Sequence, residues 1–242
     1  MSTSYQTAEH KLRDLQASDY ERWHRATKGS LFESRERGMF LDLVRSTRFL
    51  SVLEIGCGTG RITETVAPHV GKITALDFSA ASLAVLQAKK IGNLTAHCAN
   101  ACEGLPFSSG GFELVLACQV LHHLILNDLL AVLRECHRVL APGGKLAFTA
   151  YNQEYFRYAD SEGTGENGLY SKRFSRAYVQ QLAASSGFRV REVQYYKAIP
   201  SRLAGVTHSQ GATHHLDRMI CGLPGVGPRL AGYMFPVLER SL

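Results

Sequence analysis

The sequence has no CxxC pair, no long unbroken apolar run, no basic tract and no internal repeat. Each absence narrows the reading. Without CxxC spacing, the six cysteines (Cys57, Cys98, Cys102, Cys118, Cys136 and Cys221) give no disulfide framework, and a reduced, cytoplasmic protein is expected. His97, Cys98 and Cys102 stand close together, but no fourth ligand accompanies them, so no metal is expected. Residues 1–19 are polar and lack the apolar core of a secretory leader. The most apolar stretch, residues 219–238, is broken by Pro224, Pro228 and Pro236, which argues against a spanning helix and stable membrane insertion. A surface-seeking segment remains open there. The net charge of +6 comes from 27 cations interleaved with 21 anions, so it is a mild lean toward anionic partners and not a nucleic-acid signature. At 242 residues, 45% hydrophobic and 20% charged, the chain is long and apolar enough to bury one core, which excludes global disorder.

Periodicity supplies the elements. Helical spacing marks residues 7–28 and 32–46, an N-terminal pair spanning residues 1–48. Apolar runs at 50–55, 72–77, 94–98 and 112–118 read as buried parallel strands. Further strands fall at 145–151, 188–196 and 232–240. Helices are expected at 60–70, at 80–91 behind a Ser79 cap, at 120–140 with Pro142-Gly143-Gly144 as its stop, and at 175–186. Residues 160–168 read as a glycine-rich loop, and residues 200–228 as an irregular insert. Strands alternating with helices at this spacing give a doubly wound α/β domain over residues 49–242.

The strongest local feature is Glu54-Ile55-Gly56-Cys57-Gly58-Thr59-Gly60, set between a strand and a helix. Gly56 and Gly58 permit a sharp turn and close approach of a ligand to the backbone. Gly60 lets the next helix sit close to the strand. A dinucleotide fingerprint needs GxGxxG, and Arg61 stands where its third glycine belongs, which argues against a pyrophosphate. Asp77 follows at the end of the second strand, where a carboxylate can accept both ribose hydroxyls. With Glu54 adding negative charge, adenosine joined to a cationic group fits.

The runs VLEIGCGTGRIT (52–63), ITALDFS (73–79), LPFSSGGFELVLACQVLHHL (105–124) and LAPGGKLAFT (140–149), in that order, resemble the class I S-adenosylmethionine-dependent methyltransferases, specifically their small-molecule, methyltransferase type 11-like branch. The resemblance covers residues 52–196. It implies a Rossmann-like, seven-stranded, mostly parallel sheet with an antiparallel last strand, under a helical N-terminal cover. It implies S-adenosyl-L-methionine as cofactor, with Gly56, Cys57, Gly58 and Gly60 as the turn that holds its methionine part. Glu54 would orient the ammonium, Asp77 would hold the ribose, and Phe78 would pack near the adenine. Asn100 and Ala101 would meet the adenine edge, Asn100 replacing a more usual Asp. Cys118 and Gln119 would lie beside the sulfonium.

Other residues carry two readings each. His122 or His123 can serve as a general base or simply pack. Tyr20, Trp23 and Arg35 can cover the cofactor or glue a helix to the sheet edge. Tyr151, Asn152, Tyr155 and Tyr158 can line the acceptor pocket or form a solvated loop. His208, His214 and His215 are acceptor-side groups or plain surface. The expected function is methyl transfer to the O, N or C atom of an aromatic, polyketide-like or prenylated small molecule. The alternatives are quinone or lipid methylation, and cofactor binding without transfer, as in a regulator or cyclase-type scaffold. No nucleic-acid partner is expected.

Overall fold

The structure is a computed structural model and describes residues 31–156, 162–164, 170–199 and 210–241. Tyr20, Trp23, Tyr158 and His208 lie outside the described residues. The elements run α1 (Leu31–Ser46), β1 (Ser51–Ile55), α2 (Arg61–Val66), β2 (Lys72–Asp77), α3 (Ala80–Ala88), β3 (Leu94–Cys98), β4 (Phe112–Ala117), α4 (Leu126–Val139), β5 (Leu140–Phe148) and β6 (Ala150–Tyr151). Then come β7 (Glu162–Thr164), β8 (Tyr170–Lys172), α5 (Arg176–Ser185), β9 (Phe188–Tyr196), α6 (Gln210–Gly222), α7 (Gly227–Leu230) and β10 (Tyr233–Arg240).

Strands β1 to β4 alternate their side chains between two apolar layers, as a period of two requires. Leu53, Ile55, Val115 and Ala117 face α4 and α5, meeting Leu129, Val132, Leu133 and Val179. Val52, Ile73, Leu114 and Leu116 face the other way, toward Met39, Phe40 and Val44 of α1 and Ile62 and Val66 of α2. Phe40 is fully buried and meets Phe235 of β10 edge to face at 4.9 Å, so α1 shares the core of the sheet. Burial of one such ring contributes about 2–3 kcal/mol.

The strand order is β3-β2-β1-β4-β5-β10-β9, with β6 continuing β5 along β10. Strands β1 to β5 are parallel, and β10 runs antiparallel to both neighbours. Counting β5 and β6 as one strand interrupted at Thr149, this is the expected seven-stranded sheet with an antiparallel last strand. Among the described residues no helix is long and apolar enough to cross a membrane.

Several boundaries differ from the sequence reading. The helix expected at 60–70 stops at Val66 and continues as a 3-10 turn, Ala67–His69, because Pro68 cannot donate a helical hydrogen bond. The helix expected at 120–140 is two pieces, a 3-10 turn Leu121–His123 and α4, separated by extended Ile125. Pro142-Gly143-Gly144 does not stand between helix and strand. It forms a bulge inside β5, where Leu140 pairs Phe112 and Lys145 already pairs Leu114. Part of the glycine-rich loop, Glu162–Thr164, pairs antiparallel with β8. The irregular insert contains a thirteen-residue helix, α6.

Helix α6 is tethered by Asp217, a fully buried carboxylate. It accepts from the backbone N–H groups of Ala198 at 2.8 Å, Ile199 at 3.1 Å and Lys197 at 3.3 Å, and from Arg35 Nε at 3.4 Å. One side chain thereby joins the insert to the end of β9 and to α1.

Gly60, the residue before α2, has a left-handed φ of 90°, and a Cβ there would run into the fully buried Leu86 side chain. Gly58 shares the left-handed conformation (φ 53°) but faces open space. Gly58→Ala should therefore lose about 1 kcal/mol of stability, and Gly60→Ala about 3 kcal/mol, because overpacking adds to backbone strain. Urea unfolding of the two variants checks this; equal losses would contradict the steric account.

Candidate functional site

The turn after β1 directs its N–H groups inward. The Leu76 carbonyl accepts from Gly56 at 2.7 Å and Cys57 at 3.2 Å. Asp77 Oδ2 accepts from Gly58 N–H at 2.7 Å, and Gly60 N–H donates to the Cys57 carbonyl at 2.9 Å. A phosphate cradle needs such amides aimed at the ligand. Beside this turn stand two buried carboxylates, Glu54 and Asp77. Such a donor-poor, negative surface suits hydroxyl groups and a cation.

Asp77 is the hinge of this arrangement. Its Oδ1 accepts from Ser79 N–H at 2.9 Å while Oδ2 holds Gly58, so one carboxylate ties the turn after β1 to the turn after β2. A carboxylate accepts through about four lone-pair sites, the kind of group that serves a vicinal diol. Ser79 then caps α3 by accepting from Ser82 N–H at 3.1 Å. Phe78, half-buried, follows the carboxylate directly. Glu54 accepts from the Thr63 hydroxyl at 2.6 Å, and burial pushes its carboxyl up to about 7.

A second buried cluster meets the first at the end of β4. Glu36 of α1 is fully buried. Arg61 Nη2 lies 2.5 Å from its Oε2; Oε1 accepts from Gln119 Nε2 at 2.5 Å and from the Tyr196 hydroxyl at 2.8 Å. Burial drives this carboxyl upward, but the Arg61 charge and these hydrogen bonds outweigh it and hold Glu36 below the ordinary value. Arg61 Nη2 also donates to Cys118 Sγ at 2.9 Å, and burial raises that thiol well above its usual range, so it stays protonated. Gln119 sits at a left-handed φ of 58°, held by its N–H on Thr149 Oγ1 at 2.8 Å. Cys118 and Gln119 are thus fixed by residues of α1, α2 and β9 and by Thr149.

The remaining candidates sort by what they touch. Asn100 Oδ1 accepts from Cys102 N–H at 3.0 Å and its amide donates to Glu103, so it caps the short turn that begins at half-buried Ala101. His122 is fully buried, its ring 4.2 Å from that of His123 and 4.6 Å from that of Tyr151. His123 Nδ1 lies 2.8 Å from the Tyr170 carbonyl. A carbonyl only accepts, so Nδ1 carries the hydrogen in this contact. Tyr151 stacks near Tyr233 at 5.0 Å, and Tyr233 near Tyr196 at 5.3 Å.

Asn152, read as a pocket residue, is a brace. Its amide donates to the Pro228 and Ala231 carbonyls at 2.6 and 2.7 Å, and its Oδ1 accepts from Glu154 N–H at 3.0 Å, leaving it fully buried. Tyr155 is half-buried against exposed Phe156. Arg35, read as part of the cover, pairs with Asp217. His215 is exposed. His97 packs edge-on to Phe107, and Cys98 Sγ points at the Phe78 carbonyl. Among the described residues no three His, Cys, Asp or Glu side chains converge to hold a metal.

Sequence reasoning missed Glu36 and Tyr196. The one available signal was Glu36, a charged residue three and four positions before Met39 and Phe40, on the stripe that α1 buries.

Residues 53–148 match the family model described as a methyltransferase domain. The ubiquinone biosynthesis O-methyltransferase of Sodalis glossinidius (strain morsitans) is 33% identical over 106 residues, covering 43% of this chain and 42% of that protein. The chain spans about half the length, or less, of the curated relatives it matches. The Burkholderia thailandensis 1,6-didemethyltoxoflavin-N1-methyltransferase, solved with 1,6-didemethyltoxoflavin and S-adenosylhomocysteine, superposes with a TM-score of 0.64 at 15% identity, covering 96% of this chain and 90% of that one. The [4+2]-cyclase SpnF superposes with a TM-score of 0.58 at 20% identity, covering 84% and 80%. At these identities the solved structures speak for the fold.

The Glu54 carboxyl binds its proton more tightly in the folded protein than in the unfolded chain. Its contribution is therefore present below about pH 4.5 and lost as pH rises toward 7, a span worth about 3 kcal/mol. Glu54→Gln should remove that dependence. Unfolding free energies between pH 4.5 and 7.5 should fall with pH in the wild type relative to the variant; parallel curves would contradict the raised carboxyl.

Proposed function

We propose, from the premise that residues 53–148 of this chain form a methyltransferase domain of class I architecture, that the protein transfers a methyl group from S-adenosyl-L-methionine to a small-molecule acceptor. The observation that carries this reading is the inward-turned loop between Glu54 and Asp77. A nicotinamide dinucleotide would bring a pyrophosphate to a turn whose Gly56, Cys57, Gly58 and Gly60 amides are already bonded within the protein. An adenosine joined to an amino acid brings a diol and an ammonium, the two groups this surface suits.

The donor set fits the cofactor residue by residue. Asp77 would hold the ribose hydroxyls and Phe78 would pack on the adenine, with Asn100 and Ala101 at its edge. Glu54 and the carbonyl oxygens of Gly56, Cys57 and Gly58 would orient the ammonium. Gly60 brings α2 up behind them. Cys118 and Gln119, held by Arg61 and Glu36, would sit at the reacting end. The bound cofactor supplies an electrophilic methyl carbon. The chain's part is alignment: buried, mutually bonded groups that do not reorganise contribute orientation, a factor of up to roughly 7–11 kcal/mol in well-aligned systems.

On the acceptor side, Tyr151 would line the pocket, backed by the buried His122, and His123 would serve as the base. Tyr155 lies farther along the same loop. This supports an acceptor whose oxygen must lose a proton, and an aromatic, polyketide-like or prenylated skeleton. The curated relatives in ubiquinone biosynthesis keep a quinone-type acceptor within that class. The structural likeness to SpnF favours a second reading, cofactor binding without methyl transfer.

Two variants test the reading. Asp77→Ala should weaken S-adenosylhomocysteine binding by about 1–3 kcal/mol in a folded protein, through lost ribose hydrogen bonds; unchanged calorimetric affinity would sink the assignment. His123→Ala should keep that affinity and lose about 10²- to 10⁴-fold in turnover of a hydroxylated acceptor. Retained turnover would remove the base. Mass detection of S-adenosylhomocysteine as product separates transfer from binding alone.

A further inference from the structure

We infer that a cavity on the β2–β3 face of the sheet is a second binding site, one that takes an aromatic acid: a planar ring system carrying one anionic group. The methyl-transfer reading makes no use of this cavity, and the inference stands without that reading.

Strand periodicity builds the floor. Lys72 and Thr74 of β2 are alternate residues, as are Thr95 and His97 of β3, and Thr74 pairs Thr95 in register, so all four share one face. Ala75, Leu94 and Ala96 turn the other way, against Leu83 and Leu86 of α3. On the Lys72 face, α4 and α5 cover β1 and β4. Over β2 and β3 the wall is the segment after β3 instead. Phe107 stands edge-on to His97 at 5.1 Å and to Phe112 at 5.3 Å. Floor and wall enclose a cavity of about 370 Å³. That is the size of a small-molecule site.

The wall is fixed from behind. Arg138 of α4 donates to the Phe107 carbonyl at 2.7 Å and to the Leu105 carbonyl at 2.9 Å, and Glu135 accepts from Leu105 N–H at 2.9 Å. A wall bonded in this way needs little ordering when a ligand enters.

The lining selects the ligand. Thr74 lines the cavity and is only 6% exposed, yet its hydroxyl bonds no described residue. A buried hydroxyl of this kind is a donor and acceptor available to whatever occupies the space. The ring nitrogens of His97 bond no described residue either. Lys72 is exposed at the rim and forms no ion pair among the described residues, and no Asp or Glu lines the cavity. A cation at the mouth of a cleft without acids favours an anion. His97 pairs Leu76, four residues beyond Lys72, so the two lie about 13 Å apart along the strands. An aromatic acid spans that length with its ring against Phe107 and Phe112, its charge on Lys72 and a polar edge on Thr74 or His97. Lys72 begins β2 and Asp77 ends it, so this site is separate from the cofactor turn.

8-Anilinonaphthalene-1-sulfonate, an aromatic anion that fluoresces on leaving water, is the probe. N-phenyl-1-naphthylamine is the same ring system without the charge. The wild-type protein should bind the sulfonate saturably and about tenfold more tightly than the amine. Lys72→Glu at the exposed rim, and Thr95→Trp, which fills the cavity, should each weaken the sulfonate about tenfold with unchanged circular dichroism. Met219→Asp, on the exposed apolar side of α6, should not. Should Thr95→Trp fail to fold, Lys72→Glu and the pair of probes still decide. No saturable binding, equal affinity for the two probes, unchanged affinity in Lys72→Glu, or loss in Met219→Asp would overturn the site. Saturating S-adenosylhomocysteine should leave the sulfonate's affinity unchanged; displacement would put the probe in the cofactor turn and overturn the site as well.

Discussion

Asp77 accepts two backbone N–H groups from two different turns, and the rest of the site depends on that bridge. Gly58 is drawn toward β2, so the glycine loop closes over its own donors. Left-handed backbone at Gly60 then brings α2 against Leu86 of α3. A loop closed in this way has the amides of Gly56, Cys57, Gly58 and Gly60 already bonded within the protein. Beside it stand the buried carboxylates of Glu54 and Asp77. The chemistry of the ligand follows from the direction of a few N–H bonds.

The second constraint is the Glu36 cluster. A fully buried carboxylate is tolerable only when its oxygens are bonded and its charge is matched. Arg61, Gln119 and Tyr196 do both, and they come from α2, the segment after β4, and β9. The N-terminal helix, the segment after β4 and the last pair of strands are thereby held together. Asp217 repeats the device on the insert, gathering the backbone after β9 and the Arg35 side chain of α1. Two buried acids thus connect α1 and the insert to the sheet.

How much of this was legible in the sequence depended on distance along the chain. Strands β2 and β3 match the expected ranges to the residue, and β2, buried beyond its first position, carries the continuous hydrophobic signal of an interior strand. The glycine loop and Asp77 were readable because strand, turn and helix are consecutive. The break between Leu121–His123 and α4 was not: Gln119 is held left-handed by Thr149, thirty residues later, and no local pattern announces it. Asn152 looked like a pocket residue because its partners, the carbonyls of Pro228 and Ala231, belong to the insert. Tyr196 ends an alternating strand and carries no motif at all. Its role arises from what α1 places beside it.

The account turns on whether the loop takes a cationic amine and a diol in preference to a pyrophosphate. Calorimetric titration at pH 7 with S-adenosylhomocysteine and with NADH, each in two buffers of different ionisation enthalpy, tests that directly. Since burial holds the Glu54 carboxyl near 7, an ammonium bound beside it should displace its proton. The expected result is binding of S-adenosylhomocysteine with proton release to the buffer, and no binding of NADH. Binding of NADH, or binding of S-adenosylhomocysteine with no proton released, would contradict it.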